Sequence, residues 1–170
     1  MSGKPDSVYV PQGTFEISAR PSVCFATVLG SCVAACLWDA HRGVGGMNHL
    51  LLPPAAQDGE GVHLMELLIN ALLKNGARKT NLRAKLFGGA RMIDGMSDIG
   101  GRNADFAREF FRYEDIEIVS ESLGGRSARR IEFWPVTGHA RQRLVSTEAV
   151  ELPGAAPSAR RSTGGEIDLF

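Results

Sequence analysis

Two residues of this 170-residue chain have the types and the spacing that nucleophilic chemistry requires. Cys32 directly follows a Leu-Gly-Ser turn, and His49 lies near the end of the segment GVGGMNHL. A cysteine thiolate can attack a carbonyl carbon, and a neighbouring imidazole can take the thiol proton and later return it to a leaving group. Both residues also have a purely structural interpretation, because cysteine and a hydrogen-bonded histidine are common in protein cores.

The position of Cys32 separates it from the other two cysteines. Cys24 and Cys36 lie inside apolar segments, so we expect them to be buried core residues. Cys32 stands at the mouth of a segment, where a side chain is held by a rigid element and open at one end. Gly30 allows a substrate to approach the backbone closely, and the amide N–H of Cys32 or of a neighbour is placed to hold an oxyanion.

A hairpin is the element that would bring the two residues together. The segments 32–38 and 44–52 read as strands, joined by the turn cluster Asp-Ala-His-Arg-Gly. Strands joined by a short turn lie side by side with backbones about 5 Å apart. Cys32 begins one strand and His49 lies toward the end of the next, so the two are expected at the same end of the pair. Of the other three histidines, His41 falls in the turn at the opposite end.

Further strands and two helices complete the predicted domain. Apolar and alternating segments predict strands over 23–29, 82–87, 116–120 and 130–135. Apolar spacing predicts helices over 63–75 and 103–113, the second with Asn103 as its N-cap. This order predicts an α/β domain with the helices on one side of a mixed or largely antiparallel sheet.

The chain divides into three predicted parts. Residues 1–20 read as an irregular lead-in with one short strand, and residues 21–152 as a single domain. Residues 153–170 include PGAAPSARRSTGG, which has no apolar periodicity, and predict a disordered tail that is dispensable for folding.

The composition argues against several classes of function. Lys plus Arg and Asp plus Glu each number 19, so the formal net charge is zero, unlike that of a general binder of nucleic acid or membrane surfaces. We see neither a secretory signal nor a stretch that would insert in a membrane, and three cysteines suit a reducing cytoplasm. Cys32 and Cys36 have no second pair to complete a zinc site. A thiol and an imidazole can carry out acyl transfer by themselves, so no metal or other cofactor is expected.

Several motifs, taken as an ordered set, resemble one family. The segments LGSCVAACLWD, GVGGMNHLLLP, AKLFGGARM, IGGRN and LGGRSARRIEFWPVTG occur in that order between residues 23 and 138. The set resembles the chemoreceptor glutamine deamidases of bacterial chemotaxis (CheD). The resemblance implies a three-layer α/β/β sandwich. It also implies that Cys32 is the nucleophile, that His49 is the base, and that Thr27, shortly before LGSC, is the third member of the site.

The resemblance also implies a reaction and partners. The expected reaction is hydrolytic deamidation of glutamine side chains on chemotaxis receptors through a cysteine thioester, and a glutamyl methyl ester could enter through the same acyl-enzyme. A CheC-type phosphatase is an expected docking partner. A cysteine protease or a transglutaminase would use the same residue pair. The alternative of a different class is a non-enzymatic regulatory module that binds such a phosphatase or a receptor.

Overall fold

The chain folds into two stacked five-stranded sheets with two α-helices on one side, in a computed structural model that describes residues 3–52, 59–92, 98–145 and 167–170. The elements of these ranges are β1 (Asp6–Tyr9), β2 (Phe15–Ser18), β3 (Val23–Leu29), β4 (Val33–Asp39), β5 (Val44–Leu50), α1 (Gly59–Lys74), a short 3₁₀ helix (Lys79–Asn81), β6 (Arg83–Gly88), α2 (Ile99–Tyr113), β7 (Glu117–Leu123), β8 (Ala128–Trp134), β9 (His139–Val145) and β10 (Ile167–Leu169).

Each sheet is mixed in direction. The central sheet has the order β2-β5-β4-β6-β7, and the outer sheet has the order β1-β3-β8-β9-β10. In the central sheet only β6 and β7 run parallel, and in the outer sheet only β1 and β3 do. Both helices pack on the central sheet. The predicted α/β class, the mixed sheets and the placement of the helices on one side are confirmed.

Strand β4 shows why the layers stack in this order. Val33, Ala35 and Leu37 belong to the core beneath the helices, whereas Ala34 and Cys36 belong to the core between the two sheets. Successive side chains of a strand point to opposite faces, and here both faces are covered. All seven residues of β4 are therefore buried, which explains why its sequence is apolar without strict alternation.

The second helix begins earlier than the sequence predicts. Asp98 caps α2, and its side chain accepts a hydrogen bond from the backbone N–H of Gly101. Asn103 is not the N-cap; it lies inside α2 and is fully buried. The predicted cap was wrong because Gly100 and Gly101 have low helix propensity, so the first turn of α2 has the sequence pattern of a loop.

The lead-in is more regular than the sequence predicts. It contains two strands, of which β1 pairs parallel to β3 in the outer sheet and β2 pairs antiparallel to β5 in the central sheet. Each has only four residues and lies at a sheet edge, so neither carries a clear apolar alternation. The first segment of the chain thus spans both sheets.

The end of the chain also differs from the predicted tail. Strand β9, which the sequence analysis did not anticipate, pairs with β8 on one side and with β10 on the other. Phe170 exchanges two backbone hydrogen bonds with Ala140, and its ring packs edge-on against Phe87 at a centroid distance of 5.3 Å. The last four residues are therefore an integral sheet edge, and residues 153–166 of the predicted tail lie outside the described residues.

Removal of residues 167–170 is expected to destabilise the protein. The deletion uncovers the fully buried Phe87, and burial of a phenylalanine side chain contributes about 2 kcal/mol. For a domain of this size that loss lowers the melting temperature by about 5 °C. Phe170→Ala should reproduce most of the drop in thermal unfolding, whereas Ile167→Ala, at an exposed position, should not. An unchanged melting temperature in the deletion variant would contradict a stabilising role for β10.

Neither α-helix in the described ranges is long and apolar enough to cross a membrane.

Candidate active site

Cys32 lies where the chain passes from one sheet to the other. Residues 30–32 connect β3 of the outer sheet to β4 of the central sheet. The turn is fixed by two backbone hydrogen bonds from the segment after β6: Gly89 N–H donates to the carbonyl of Cys32 at 2.8 Å, and Ala90 N–H to that of Gly30 at 3.0 Å. The Cys32 side chain is 8% exposed. Cys32 thus directly precedes strand β4, as the sequence predicts, but its side chain is buried.

A glycine in the FGGA segment makes this contact possible. Gly88 has a φ of 111°, and a Cβ atom there would lie 2.1 Å from the carbonyl oxygen of Cys32. No L side chain fits that position without displacing the backbone of the Cys32 turn. FGGA is among the segments that resemble the family, but its contact with Cys32 depends on how β6 and the Cys32 turn come together in the fold.

Asn103 supports the Cys32 turn from the helix layer. Its Nδ2 donates to the carbonyl of Ser31 at 2.8 Å, and its Oδ1 accepts from the backbone N–H of Leu52 at 3.0 Å. One buried amide thus joins the turn before Cys32 to the chain just after β5. The sequence offered only a polar residue near a helix start, which is why this role was missed.

His49 points into the space between the sheets. In the β4–β5 pair it lies opposite Ala34, so the predicted antiparallel hairpin is confirmed. Its Nδ1 atom is 2.9 Å from Oγ1 of Thr27 on β3 and 3.1 Å from the carbonyl oxygen of Val10. The Thr27 hydroxyl also contacts the Val10 carbonyl, at 2.9 Å. Residues of both sheets and of the lead-in therefore converge on the imidazole.

These contacts define the tautomer of His49. A carbonyl oxygen can only accept, so its contact with Nδ1 places the ring hydrogen on Nδ1. The Thr27 hydroxyl then donates its own hydrogen to the Val10 carbonyl and accepts from Nδ1–H. Nε2 is left with a free lone pair, which is the form that a general base requires.

Cys32 and His49 share the inter-sheet face without a hydrogen bond between them. Cys32 belongs to the same buried cluster as Ala34, which stands directly across from His49. The β4–β5 register, continued by one residue beyond the pair of Val33 and Leu50, puts Cys32 diagonally across from His49. Instead, the thiol of Cys32 donates to Oε1 of Gln12 at 3.6 Å. Catalytic hydrogen bonds often shorten only when substrate is bound.

Gln12 is carried by a tight turn between β1 and β2. Thr14 N–H donates to the Pro11 carbonyl at 3.2 Å, and Gly13 has a φ of 81°, as a type II turn requires at its third residue. The turn is joined to His49, which accepts from Gly13 N–H at 2.8 Å and donates to the Thr14 carbonyl at 3.1 Å. The same backbone segment therefore positions Gln12 relative to His49.

Burial favours the neutral forms of both candidate residues. It raises the pKa of the Cys32 thiol. It also lowers the pKa of the His49 imidazole, an effect that the hydrogen bond to the Val10 carbonyl partly opposes. The pair therefore rests as a thiol beside a neutral imidazole.

The other two cysteines are buried in the core, as the sequence predicts. Cys24 and Cys36 are fully buried, and burial raises the pKa of Cys24 to about 11. Asn48 points to the opposite face from His49: its Oδ1 accepts from Ala35 N–H, and its Nδ2 contacts the sulfur of Met65 on α1. Within the described parts of the chain, no three His, Cys, Asp or Glu side chains gather as a metal site.

The chain matches a family and close relatives. Residues 60–144 match the model of the CheD chemotactic sensory transduction family. A protein of Caulobacter vibrioides is 50% identical over 96% of this chain and 92% of its own length, and one of Sinorhizobium medicae is 54% identical over 96% and 95%. Both relatives are named probable chemoreceptor glutamine deamidase CheD.

A solved structure from Neisseria meningitidis superposes with a TM-score of 0.47 at 11% identity, covering 77% of this chain and 76% of that one.

Proposed function

This chain belongs to the CheD family of chemotactic sensory transduction proteins, and on that premise we propose that it hydrolyses glutamine side chains of chemoreceptors to glutamate. Cys32 is the nucleophile, His49 is the base and acid, and Thr27 is a positioning residue. The observation that carries the proposal is the Thr27–His49–Val10 network, which keeps the hydrogen on Nδ1 and leaves Nε2 available.

The first half of the reaction forms a thioester. As the Cys32 sulfur bonds to the carboxamide carbon, its proton passes to Nε2 of His49, because burial disfavours a free thiolate before attack. The electron pair of the C=O bond moves to the oxygen, and in this proposal the amide N–H of Cys32 or of a neighbour holds that oxygen. When the C=O bond re-forms, the C–N bond breaks, and His49 gives its proton to the departing ammonia.

The second half returns the enzyme to its starting state. Water, deprotonated by His49, attacks the thioester carbon, and the sulfur leaves and regains its proton. The product is glutamate, with one negative charge where the substrate had none. A glutamyl methyl ester forms the same acyl-enzyme with methanol as the leaving group, so we propose it as a second substrate.

Mass spectrometry of a purified receptor fragment tests the proposal. Each glutamine hydrolysed adds about one dalton and releases one ammonia molecule. Both signals should appear with the wild-type protein. If neither appears for receptor fragments from the same organism, the proposed substrate is wrong.

Removal of the Thr27 hydroxyl is expected to slow turnover. Thr27→Val deletes the acceptor at 2.9 Å from Nδ1 and leaves only the Val10 carbonyl to orient the ring. A positioning partner of this kind is worth about 10- to 100-fold, so kcat should fall by that factor with little change in KM.

Thr27→Ser is the matched control, because serine keeps the hydroxyl. Its kcat should stay within about threefold of wild type, since the serine hydroxyl can make the same hydrogen bond to Nδ1 of His49. Equal kcat in Thr27→Val and wild type would remove Thr27 from the site.

A further inference from the structure

We propose that the side-chain amide of Gln12 donates a hydrogen bond to the oxyanion that forms when Cys32 attacks its substrate. The inference rests on the proposed acyl-transfer function and adds a catalytic residue to it. Gln12 comes from the lead-in, which the sequence analysis treated as irregular and outside the domain.

The distance from the sulfur suits this role. The terminal amide of Gln12 stands 3.6 Å from Sγ of Cys32. The oxygen of a tetrahedral adduct lies two bonds from the sulfur, and its donors stand about 3 Å beyond that oxygen. A carboxamide that already contacts the sulfur is therefore within reach of the adduct oxygen.

The chemistry of the amide suits both states of the reaction. In the resting protein the carbonyl oxygen of Gln12 accepts from the neutral thiol. Rotation about the last side-chain bond, a broad two-fold torsion, exchanges that oxygen for the NH₂ group. Once the thiol proton has passed to His49 and negative charge develops on the substrate oxygen, the NH₂ group is the favourable partner.

The turn that carries Gln12 is held in place by several hydrogen bonds. Gly13 N–H and the Thr14 carbonyl both bond to the backbone of His49, and the Thr14 hydroxyl bonds to the Pro11 carbonyl at 2.7 Å. The backbone next to Gln12 is consequently hydrogen-bonded to the backbone of His49, the proposed base. The turn thus fixes the backbone of Gln12 in advance, and only the terminal amide must rotate for its NH₂ group to face the oxyanion.

The electrostatics of the site call for such a donor. Burial raises the pKa of the Cys32 thiol. A buried oxyanion likewise needs hydrogen-bond donors to replace the water it has lost. Among the hydrogen bonds of the described residues, the carboxamide of Gln12 is the partner of the Cys32 sulfur.

The step involves no proton transfer from Gln12. The S–C bond forms, the electron pair of the C=O bond becomes the oxyanion lone pair, and the Gln12 N–H remains covalently intact. When the adduct collapses, the pair returns to the C=O bond and the hydrogen bond weakens.

Gln12→Ala and Gln12→Glu, assayed in the full chain, test the proposal. Loss of one oxyanion donor costs about 100-fold in kcat, so Gln12→Ala should fall by that factor with KM within about threefold of wild type. Gln12→Glu keeps the length but replaces a donor with a carboxylate, and it should fall further. Glu16→Ala, an exposed change on the following strand, is the matched control and should leave kcat unchanged.

The rate at which iodoacetamide alkylates Cys32 shows whether Gln12 acts as an oxyanion donor or only shields the thiol from solvent. Its alkylation of Cys32 passes through no oxyanion, so Gln12→Ala should leave that rate within about threefold of wild type. If Gln12 instead shields the thiol, alkylation and turnover should both rise in Gln12→Ala. That result, or an unchanged kcat, would overturn the proposal.

Acylation by p-nitrophenyl acetate tests the role of Gln12 independently of whether a receptor glutamine is the substrate. Acylation of Cys32 by the ester forms the same kind of oxyanion without a receptor glutamine, and it should slow by about tenfold or more in Gln12→Ala. If wild type acylates but does not convert receptor fragments, the substrate assignment fails and the ester still decides the role of Gln12. If neither reagent reacts at Cys32 in wild type, both proposals fail.

Discussion

Cys32→Ala is expected to abolish ammonia release from a receptor fragment while leaving the protein folded. The sulfur forms the covalent bond to the substrate, and removal of a nucleophile that works with a paired base lowers kcat by about 10⁴-fold or more. The fold should survive because the Cys32 turn is held by its backbone, through the bond from Gly89 N–H, and not by the thiol. Ammonia release and fragment mass measure the loss, and circular dichroism measures the fold.

The other two cysteines provide matched controls. Cys24→Ala and Cys36→Ala remove fully buried thiols, so each should keep turnover and lose about 1 kcal/mol of stability. Iodoacetamide should label Cys32 first, because it is the only one of the three with measurable exposure. Full activity in Cys32→Ala would reject Cys32 as the nucleophile, whereas a wild-type protein without activity would favour a non-enzymatic binding module.

The hairpin that holds Cys32 and His49 could be predicted because its information is local. A turn cluster separates two apolar segments, and a short connection forces neighbouring strands to pair. The observed register, with Ala34 opposite His49, follows directly from that arrangement. The proximity of Cys32 and His49 could therefore be predicted from the sequence without any knowledge of tertiary contacts.

The rest of the site could not be predicted from the residues alone because it depends on pairing between distant segments. Val10 and Gln12 reach the site only because β1 joins the outer sheet and β2 joins the central sheet. Both strands are short edge strands with weak patterns, so the lead-in gave no sign of its position. Thr27 entered through the family resemblance, and its contact with His49 requires the two sheets to stack.

The roles of Gly88 and Asn103 could not be predicted from the sequence for a different reason. Gly88 reads as an ordinary loop residue until the Cys32 carbonyl is seen where its Cβ would be. Asn103 reads as a helix cap until its amide is seen joining Ser31 to Leu52. Such residues act through backbone groups of other segments, and those contacts leave no pattern around the residue itself.

His49→Asn is expected to reduce turnover about as severely as Cys32→Ala. Asparagine keeps an N–H donor near the position of Nδ1, toward Thr27 and the Val10 carbonyl, but it has no base at the position of Nε2. We expect a fall in kcat of about 10⁴-fold, and the double variant with Cys32→Ala should be hardly worse than either single change, since the two groups act as one unit. Multiplicative losses in the double variant would contradict a shared proton-transfer step.

The pH dependence supplies an independent readout of the same residue. Burial lowers the pKa of His49, so the neutral base persists below the ordinary histidine value of about 6.5. The acid limb of kcat/KM should therefore have its midpoint below that value. Because the unfolded chain takes up the proton first as pH falls, His49 should also contribute a loss of stability that begins near pH 6.5 and ends at its lower folded pKa. Melting temperatures measured across that range should fall more steeply for wild type than for His49→Asn; an acid limb above about 6.5 would mean that a different group is the base.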